Sequence, residues 1–399
     1  MFKSSGRVRR LAPNVVRGLA AATIAYVLQT TGVVAQPSAQ APDVGDGHGG
    51  HGAGPPVSQA AHKPQDLLFF VSARYTRLTD VAAPSGDGDL TPSADIFYTR
   101  GADRFRILAE YLITDDEHDL ERFQVGWQLS ETTRIWLGRF HQSASYWNTE
   151  HHHGQFLQTP IYRPAMEEFE DVGGVLPSHT TGVLLEHQRK IGSEAGLQLS
   201  FSAGLTSTLA ALELQQLEPY DLLDPESGHG DSVSLRAGLF PDFLGDDQIG
   251  LAYGRHTLNV EPGVQLPAAW APGVDEIDLT TIGLYTDWSW GKWRLAATAD
   301  QVGTTPRGGL GGPHTEFVAA YAQTEYRFRK RWVAYARLEQ TSGTEDYLDI
   351  FPLYVRRQSL AGAKWLVSSK HSVNIEMTSS STQTDRFHRL SIQWSAVVP

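Results

Sequence analysis

The sequence predicts an all-β protein: a transmembrane, antiparallel, up-and-down β-barrel of about 16 strands with a long third extracellular loop. Three observations predict it. From Leu67 onward, segments of about ten residues alternate apolar and polar side chains, which is the spanning length of a tilted barrel strand. The apolar faces often end in an aromatic residue (Trp127, Trp288, Trp290, Tyr326, Phe328, Trp394), as an interfacial girdle does. Connections between the segments alternate between short and long down the whole chain.

Alternation is clearest in four segments. Leu197, Leu199, Phe201, Ala203 and Leu205 share one face, and Gln198, Ser200, Ser202 and Thr206 share the other. Phe123, Val125, Trp127 and Leu129 oppose Arg122, Gln124 and Gln128. Phe105, Ile107, Ala109, Tyr111 and Ile113 oppose Arg104, Arg106 and Glu110. Leu390, Ile392, Trp394, Ala396 and Val398 oppose Arg389, Ser391, Gln393 and Ser395. Successive side chains of a strand point to opposite faces, so each segment carries one apolar and one polar face. A soluble sandwich alternates in the same way; the aromatic ends and the loop rhythm favour the membrane.

Seven short connections fall near residues 101–103, 130–133, 189–194, 241–246, 291, 329–330 and 368–370. Between them lie eight longer ones, near 78–92, 114–119, 142–179, 207–230, 257–276, 303–314, 342–353 and 379–386. Seven turns and eight loops join sixteen strands, an even number, and a barrel of about 16 strands is wide enough for an aqueous channel.

The N-terminus reads as a secretory signal over residues 1–35. Lys3, Arg7, Arg9, Arg10 and Arg17 precede a short apolar run, and small residues end it at Ala35. Residues 36–65 form a His/Gly/Pro-rich linker expected to be disordered, and the barrel occupies 66–399. Removing the signal takes away five of 33 cations and no acid, leaving 28 against 45 and a net charge of −17. An acidic chain is a poor partner for nucleic acid. Beyond the signal there is no apolar run of helix-spanning length, so a membrane passage requires a closed barrel, because lipid cannot satisfy an open sheet edge. The chain has no cysteine, which fits an oxidising periplasm.

The third loop is the longest and the most unusual in composition. It carries Glu150, His151, His152, His153, Glu167, Glu168, Glu170 and Asp171. With the signal, the strand–turn–strand layout from Leu67 to Val398 and the position of this loop, the chain resembles the general and substrate-selective porins of Gram-negative bacteria. The resemblance implies an outer-membrane channel for passive diffusion, with lipid and lipopolysaccharide around it, a third loop folded into the lumen and a homotrimeric assembly. One departure is the end of the chain: Trp394 lies in the last strand, but the terminus is Val397-Val398-Pro399 rather than an aromatic.

In such a channel the acids of the third loop form the constriction and favour cations. The alternative is an outer loop whose acids are solvated or bridged to lipopolysaccharide. Arg104, Arg106, Arg122, Arg236, Arg327, Arg337 and Arg389, with Glu110 and Glu325, fall on polar faces and are expected on the lumen wall. Such an arginine ladder also suits anions. An Arg on the lipid face costs about 2–4 kcal/mol at the midplane, which favours the inward placement.

His151 and His153 are candidate ligands for a divalent metal (zinc, copper or nickel), as are His48 and His51 in the linker. Adjacent residues of an extended chain point opposite ways, so the loop histidines need further ligands from His141, His179 or the acids. A metal-permeation barrel, a lipase- or protease-type barrel enzyme and a surface-binding barrel stand as alternatives. Neither a Gly-x-Ser-x-Gly elbow nor a His-Glu-x-x-His motif is present, and the chain is therefore expected not to be an enzyme.

Overall fold

The computed structural model describes residues 67–78, 88–115, 118–151, 154–170, 173–211, 215–224, 227–270, 272–309, 311–343 and 346–398. The expected signal and linker, with His48 and His51, lie outside the described residues, as do His152, His153 and Asp171.

Each alternating segment forms a strand. In chain order they are β1 (Leu67–Leu78), β2 (Asp89–Ala102), β3 (Phe105–Thr114), β4 (His118–Ser130), β5 (Thr133–His141), β6 (His179–Ile191), β7 (Ala195–Thr206), β8 (Thr208–Ala211) and β9 (Gln215–Glu218). There follow β10 (Gly230–Phe240), β11 (Gln248–Asn259), β12 (Glu276–Trp290), β13 (Trp293–Arg307), β14 (Thr315–Arg329), β15 (Trp332–Gly343), β16 (Arg357–Leu366), β17 (His371–Ser381) and β18 (Arg386–Val398). All but β8 and β9 close into one antiparallel barrel, each strand pairing with its neighbours in sequence. β1 pairs with β18 from Phe69↔Val398 to Leu78↔Arg389, so the barrel has no free edge. The sixteen-strand count expected from the sequence is the one found.

The short turns gather at one end. Trp290 pairs with Trp293 across a two-residue turn, and Gly291 there adopts φ 61°, a left-handed value that glycine takes without a Cβ clash. Two of the expected longer connections are themselves brief: residues 115–117 join β3 to β4, and 382–385 join β17 to β18. There the strands run further toward the loop end than the composition indicated.

The wall is inverted relative to a soluble sheet. On β17, Asn374, Glu376 and Thr378 are buried, whereas Ile375 and Met377 are 51% and 67% exposed. On β11, Gln248 and His256 are buried and Leu251 is exposed. On β7, Gln198, Ser200 and Ser202 are buried and Phe201 is exposed. Polar side chains therefore point to the lumen and apolar ones outward. Exposed apolar side chains recur around the barrel, which suits hydrocarbon as the outer solvent and not water.

Aromatic side chains collect toward the short-turn end. Trp332 stacks on Trp365 at 5.5 Å between centroids, Trp293 lies 4.6 Å from Tyr326, and His371 stacks on Trp394 at 5.8 Å. This is the belt expected where wall meets headgroups. Among the described residues no helix is long and apolar enough to cross a membrane.

A charge on the outward face tests this arrangement. Leu338→Arg, at an exposed site midway along β15, is expected to destabilise the vesicle-inserted barrel by about 2–4 kcal/mol, read from denaturant unfolding.

Candidate functional site

The described residues of the third loop, 142–151, 154–170 and 173–178, run inside the barrel, and their contacts follow the wall strand by strand. At its start, Gln142 donates to Ser232 Oγ of β10 at 2.8 Å, and Ser143 Oγ lies 3.0 Å from Ser202 Oγ of β7 and 2.6 Å from Ser234 Oγ of β10. A short helix, α1 (Tyr146–Glu150), is capped by Ser145, whose Oγ accepts from Asn148 N at 3.1 Å. Tyr146 of α1 donates to Asp287 of β12 at 2.8 Å and stacks on Tyr285 at 4.5 Å. A single-turn helix, α2 (Gly154–Leu157), comes next.

The loop then reaches the far wall. Lys364 of β16 donates to the carbonyls of Phe156 and Gln158 at 2.5 and 2.7 Å. Asn374 of β17 donates to Thr159 O at 2.6 Å, and Ile161 N donates to Glu376 at 2.8 Å. Tyr162 meets Ser391 of β18 and Thr76 of β1, each at 2.9 Å. From there the chain crosses back: Ala165 N donates to Glu339 of β15 at 2.7 Å, and Glu170 joins His179 at the start of β6.

Arg337 is the main tie. Its guanidinium is buried, donates to the carbonyls of Tyr162 and Arg163 at 2.9 and 2.5 Å, and pairs with Glu339 at 2.6 Å. A guanidinium has five donors and no acceptor, so it can hold two loop carbonyls and a carboxylate together.

The expected constriction acids are mostly engaged. Glu150 pairs with Arg236 at 3.3 Å. Glu167 is buried and accepts from Ser145 Oγ. Its carboxyl is pushed up to about 7 by burial, against the opposing pull of Ser145, Arg163 and Arg236. Burial likewise raises Glu168 despite Arg163, Arg389 and Arg337 nearby. Glu170 behaves differently. Burial would raise it, but His179 and the donors of Ser178 hold it well below the usual carboxylate range. It accepts from Ser178 N at 2.6 Å, His179 N at 2.9 Å and Ser207 Oγ at 2.8 Å. His151 lies 3.8 Å from Asp287, with its ring against Tyr146 and Trp147.

Of the expected wall residues, Arg236 and Arg337 are buried against loop 3, and Arg389 sits 4.0 Å over the Tyr162 ring. Arg122 pairs with Glu110 at 2.6 Å, and Glu325 accepts from Thr159 at 2.9 Å. Arg327 and Arg106 lie toward the short-turn end, the latter donating to Phe105 O at 3.0 Å. Arg104 does not line the wall: it is exposed in the turn between β2 and β3, where the hairpin has already reversed.

An apolar core at the loop end had no counterpart in the sequence reading. Leu258, Ile277, Leu279, Val302 and Phe317 turn inward near the ends of β11 to β14. Onto them pack Ala165, Met166 and Val175 of loop 3, the Leu209↔Leu217 pair of the β8–β9 hairpin, Trp270, and Tyr347, Leu348 and Ile350. Tyr347 donates to Val175 O at 2.6 Å. Inward apolar residues on a polar face break the alternation only locally, so they read as noise until the loops are seen to cover them.

No protein-family model and no curated protein matches the chain. Solved structures do. An anion-selective porin from Comamonas acidovorans aligns with TM-score 0.56 at 9% identity, over 83% of this chain and 98% of that one. The outer membrane channel DcaP of Acinetobacter baumannii aligns with TM-score 0.55 at 9% identity, over 83% and 96%. A trimer form of OmpT, an outer membrane protein of Vibrio cholerae, aligns with TM-score 0.51 at 11% identity, over 84% and 98%. The fold is that of the outer-membrane porins. Identity this low shows the porin fold and leaves the lining of this particular barrel to its own residues.

Two outcomes follow from the loop contacts. Arg337→Ala leaves two buried carbonyls without their donor, at about 1–3 kcal/mol each. Loop 3 should then become cleavable by added protease while the wild-type loop is protected; equal protection contradicts the tie. For Glu167, the carboxyl rises from 4.5 to about 7 on folding, so the folded state holds its proton more tightly. Its contribution to stability is therefore present below about 4.5 and is lost as pH climbs through 7. Glu167→Gln should flatten unfolding stability between pH 5 and 7, roughly that window, and a slope unchanged by the substitution contradicts it.

Proposed function

We propose that the protein is a passive outer-membrane channel of porin type that admits small hydrophilic solutes or ions. The observation that carries this reading is the inverted wall: a closed sixteen-strand barrel with polar side chains inside and apolar ones outside. A wall of that strand number encloses more space than its own side chains fill. Loop 3 occupies part of it, and the ionic and hydroxyl groups that remain along the wall suit hydrated solutes. The proposal includes residence in the outer membrane, with lipid at the apolar band and lipopolysaccharide at the long loops. A homotrimer is proposed with it, supported by the trimer form of the similar Vibrio cholerae protein. The chain is read as a channel and not as an enzyme.

The finer reading is a preference for cations. It is supported by the acidic balance of the chain and by the carboxylates of loop 3. Against it weigh Arg236 and His179, which neutralise Glu150 and Glu170.

Purified protein in a planar bilayer is the test. Stepwise openings are expected, with a reversal potential under a potassium chloride gradient that has the sign of cation permeation. Absence of any conductance from folded, inserted protein contradicts the channel; anion permeation contradicts only the selectivity.

A further inference from the structure

The two ends of loop 3 meet in a cluster that the channel reading does not use. His141 is the last residue of β5 and His179 the first of β6, and they are direct cross-strand partners. Phe123 of β4 pairs with Arg139 of β5, so Glu121 and His141, each two residues further along, fall level with each other. Glu121, His141 and His179 thus form one row across three neighbouring strands, all buried. Their ligand atoms lie within 4.8 Å of one another. Neighbouring strands sit about 4.8 Å apart, so Glu121 and His179, two strands apart, are brought to 3.0 Å by side chains that converge over His141.

We propose that Glu121, His141 and His179 bind one divalent transition-metal ion of the zinc class at the base of loop 3. The donor set is two imidazoles and a carboxylate, which suits zinc, with nickel and copper as chemical competitors. Zinc bonds of about 2.0–2.2 Å place tetrahedral ligands roughly 3.4 Å apart, so side-chain torsions must close the widest separation in the cluster by up to about 1.4 Å. His179 Nε2 already lies 3.0 Å from Glu121, the edge where an ion would sit.

The surroundings are those of a supported ligand. Glu170, on loop 3, lies 3.0 Å from His179 Nδ1 and is itself held by the donors of Ser178 and Ser207. A carboxylate on Nδ1 fixes the tautomer that leaves Nε2 for the metal, and such outer partners typically change affinity by about 10–100-fold. Phe169 covers both imidazoles, stacked on His141 at 6.1 Å and 5.4 Å from His179 between centroids. Arg139, two residues back along β5, is paired with Asp119 at 2.9 Å, which offsets its repulsion of a cation. Two carboxylates, Glu121 and Glu170, flank His179. Bound there, the ion staples the two feet of loop 3 to β4.

The experiment uses the full chain refolded in detergent, with zinc titrated by calorimetry and cobalt by visible absorption. One zinc per chain and a four-coordinate cobalt spectrum are expected. His141→Ala should weaken binding at least tenfold, and Glu170→Gln by about 10–100-fold. Changing His151, His152 and His153 together to Ala should leave the affinity unchanged. Absence of binding to the wild type, or wild-type affinity in His141→Ala, overturns the site. Should His141→Ala not refold, Glu121→Gln in the same titration and the wild-type cobalt spectrum decide. Conductance is a separate readout: a pore without metal affinity sinks this site alone, and metal affinity without a pore sinks the channel alone.

Discussion

Everything in this structure depends on the matching of two solvents across one sheet. A strand has two faces, and closing sixteen of them into a barrel gives one face to the inside and one to the outside around the whole circumference. Closure satisfies the backbone, so hydrocarbon can lie against the wall without an orphaned amide. The outward side chains are then free to be apolar, and the inward ones must be polar unless something packs on them. Leu251, Ile375 and Met377 on one side and Gln248, Asn374 and Glu376 on the other are the two halves of that constraint.

The interior shows what the constraint demands of a long loop. A segment of polar backbone laid against a buried wall needs a partner for each group it hides. Loop 3 finds them in charged wall residues: Lys364 and Arg337 donate to its carbonyls, and Glu339 and Glu376 accept from its amides. The wall charges in turn are neutralised by one another or by the loop, as with Arg294 and Asp287 at 2.5 Å. Removing one member of such a network exposes the desolvation cost of the rest, and so the loop is held by mutual dependence rather than by any single strong bond. Where the wall turns apolar near the loop end, loops 3, 4, 5 and 7 supply matching apolar groups and build a small conventional core there.

Much of the barrel was legible in the sequence because a period of two is a local signal. Phe201 against Ser200 and Ser202, or Trp394 against Gln393 and Ser395, declares the faces of a strand without reference to any other strand. Turn positions followed from Gly291 and its like. The path of loop 3 was not legible, because it is set by contacts such as Tyr162 to Ser391, more than two hundred residues apart in the chain. Nor was the β8–β9 hairpin, whose leucines acquire a purpose only against Ile277 and Leu279. The metal-ligand candidates show the same limit. A run of three histidines draws attention by adjacency, whereas Glu121, His141 and His179 are scattered in sequence and are brought into one row by strand register alone. Arg104 erred for a similar reason: alternation continues through a hairpin turn although the wall has ended.

The central claim is that the outward face meets lipid and the inward face does not. Spin labels placed singly at residues 374 to 377 of β17, in protein reconstituted into vesicles, measure this directly through collision with dissolved oxygen, which partitions into hydrocarbon. The account predicts high oxygen accessibility at Ile375 and Met377 and low accessibility at Asn374 and Glu376. Equal accessibility at all four positions, or labels at 375 and 377 relaxed by a water-soluble nickel reagent instead, would contradict it.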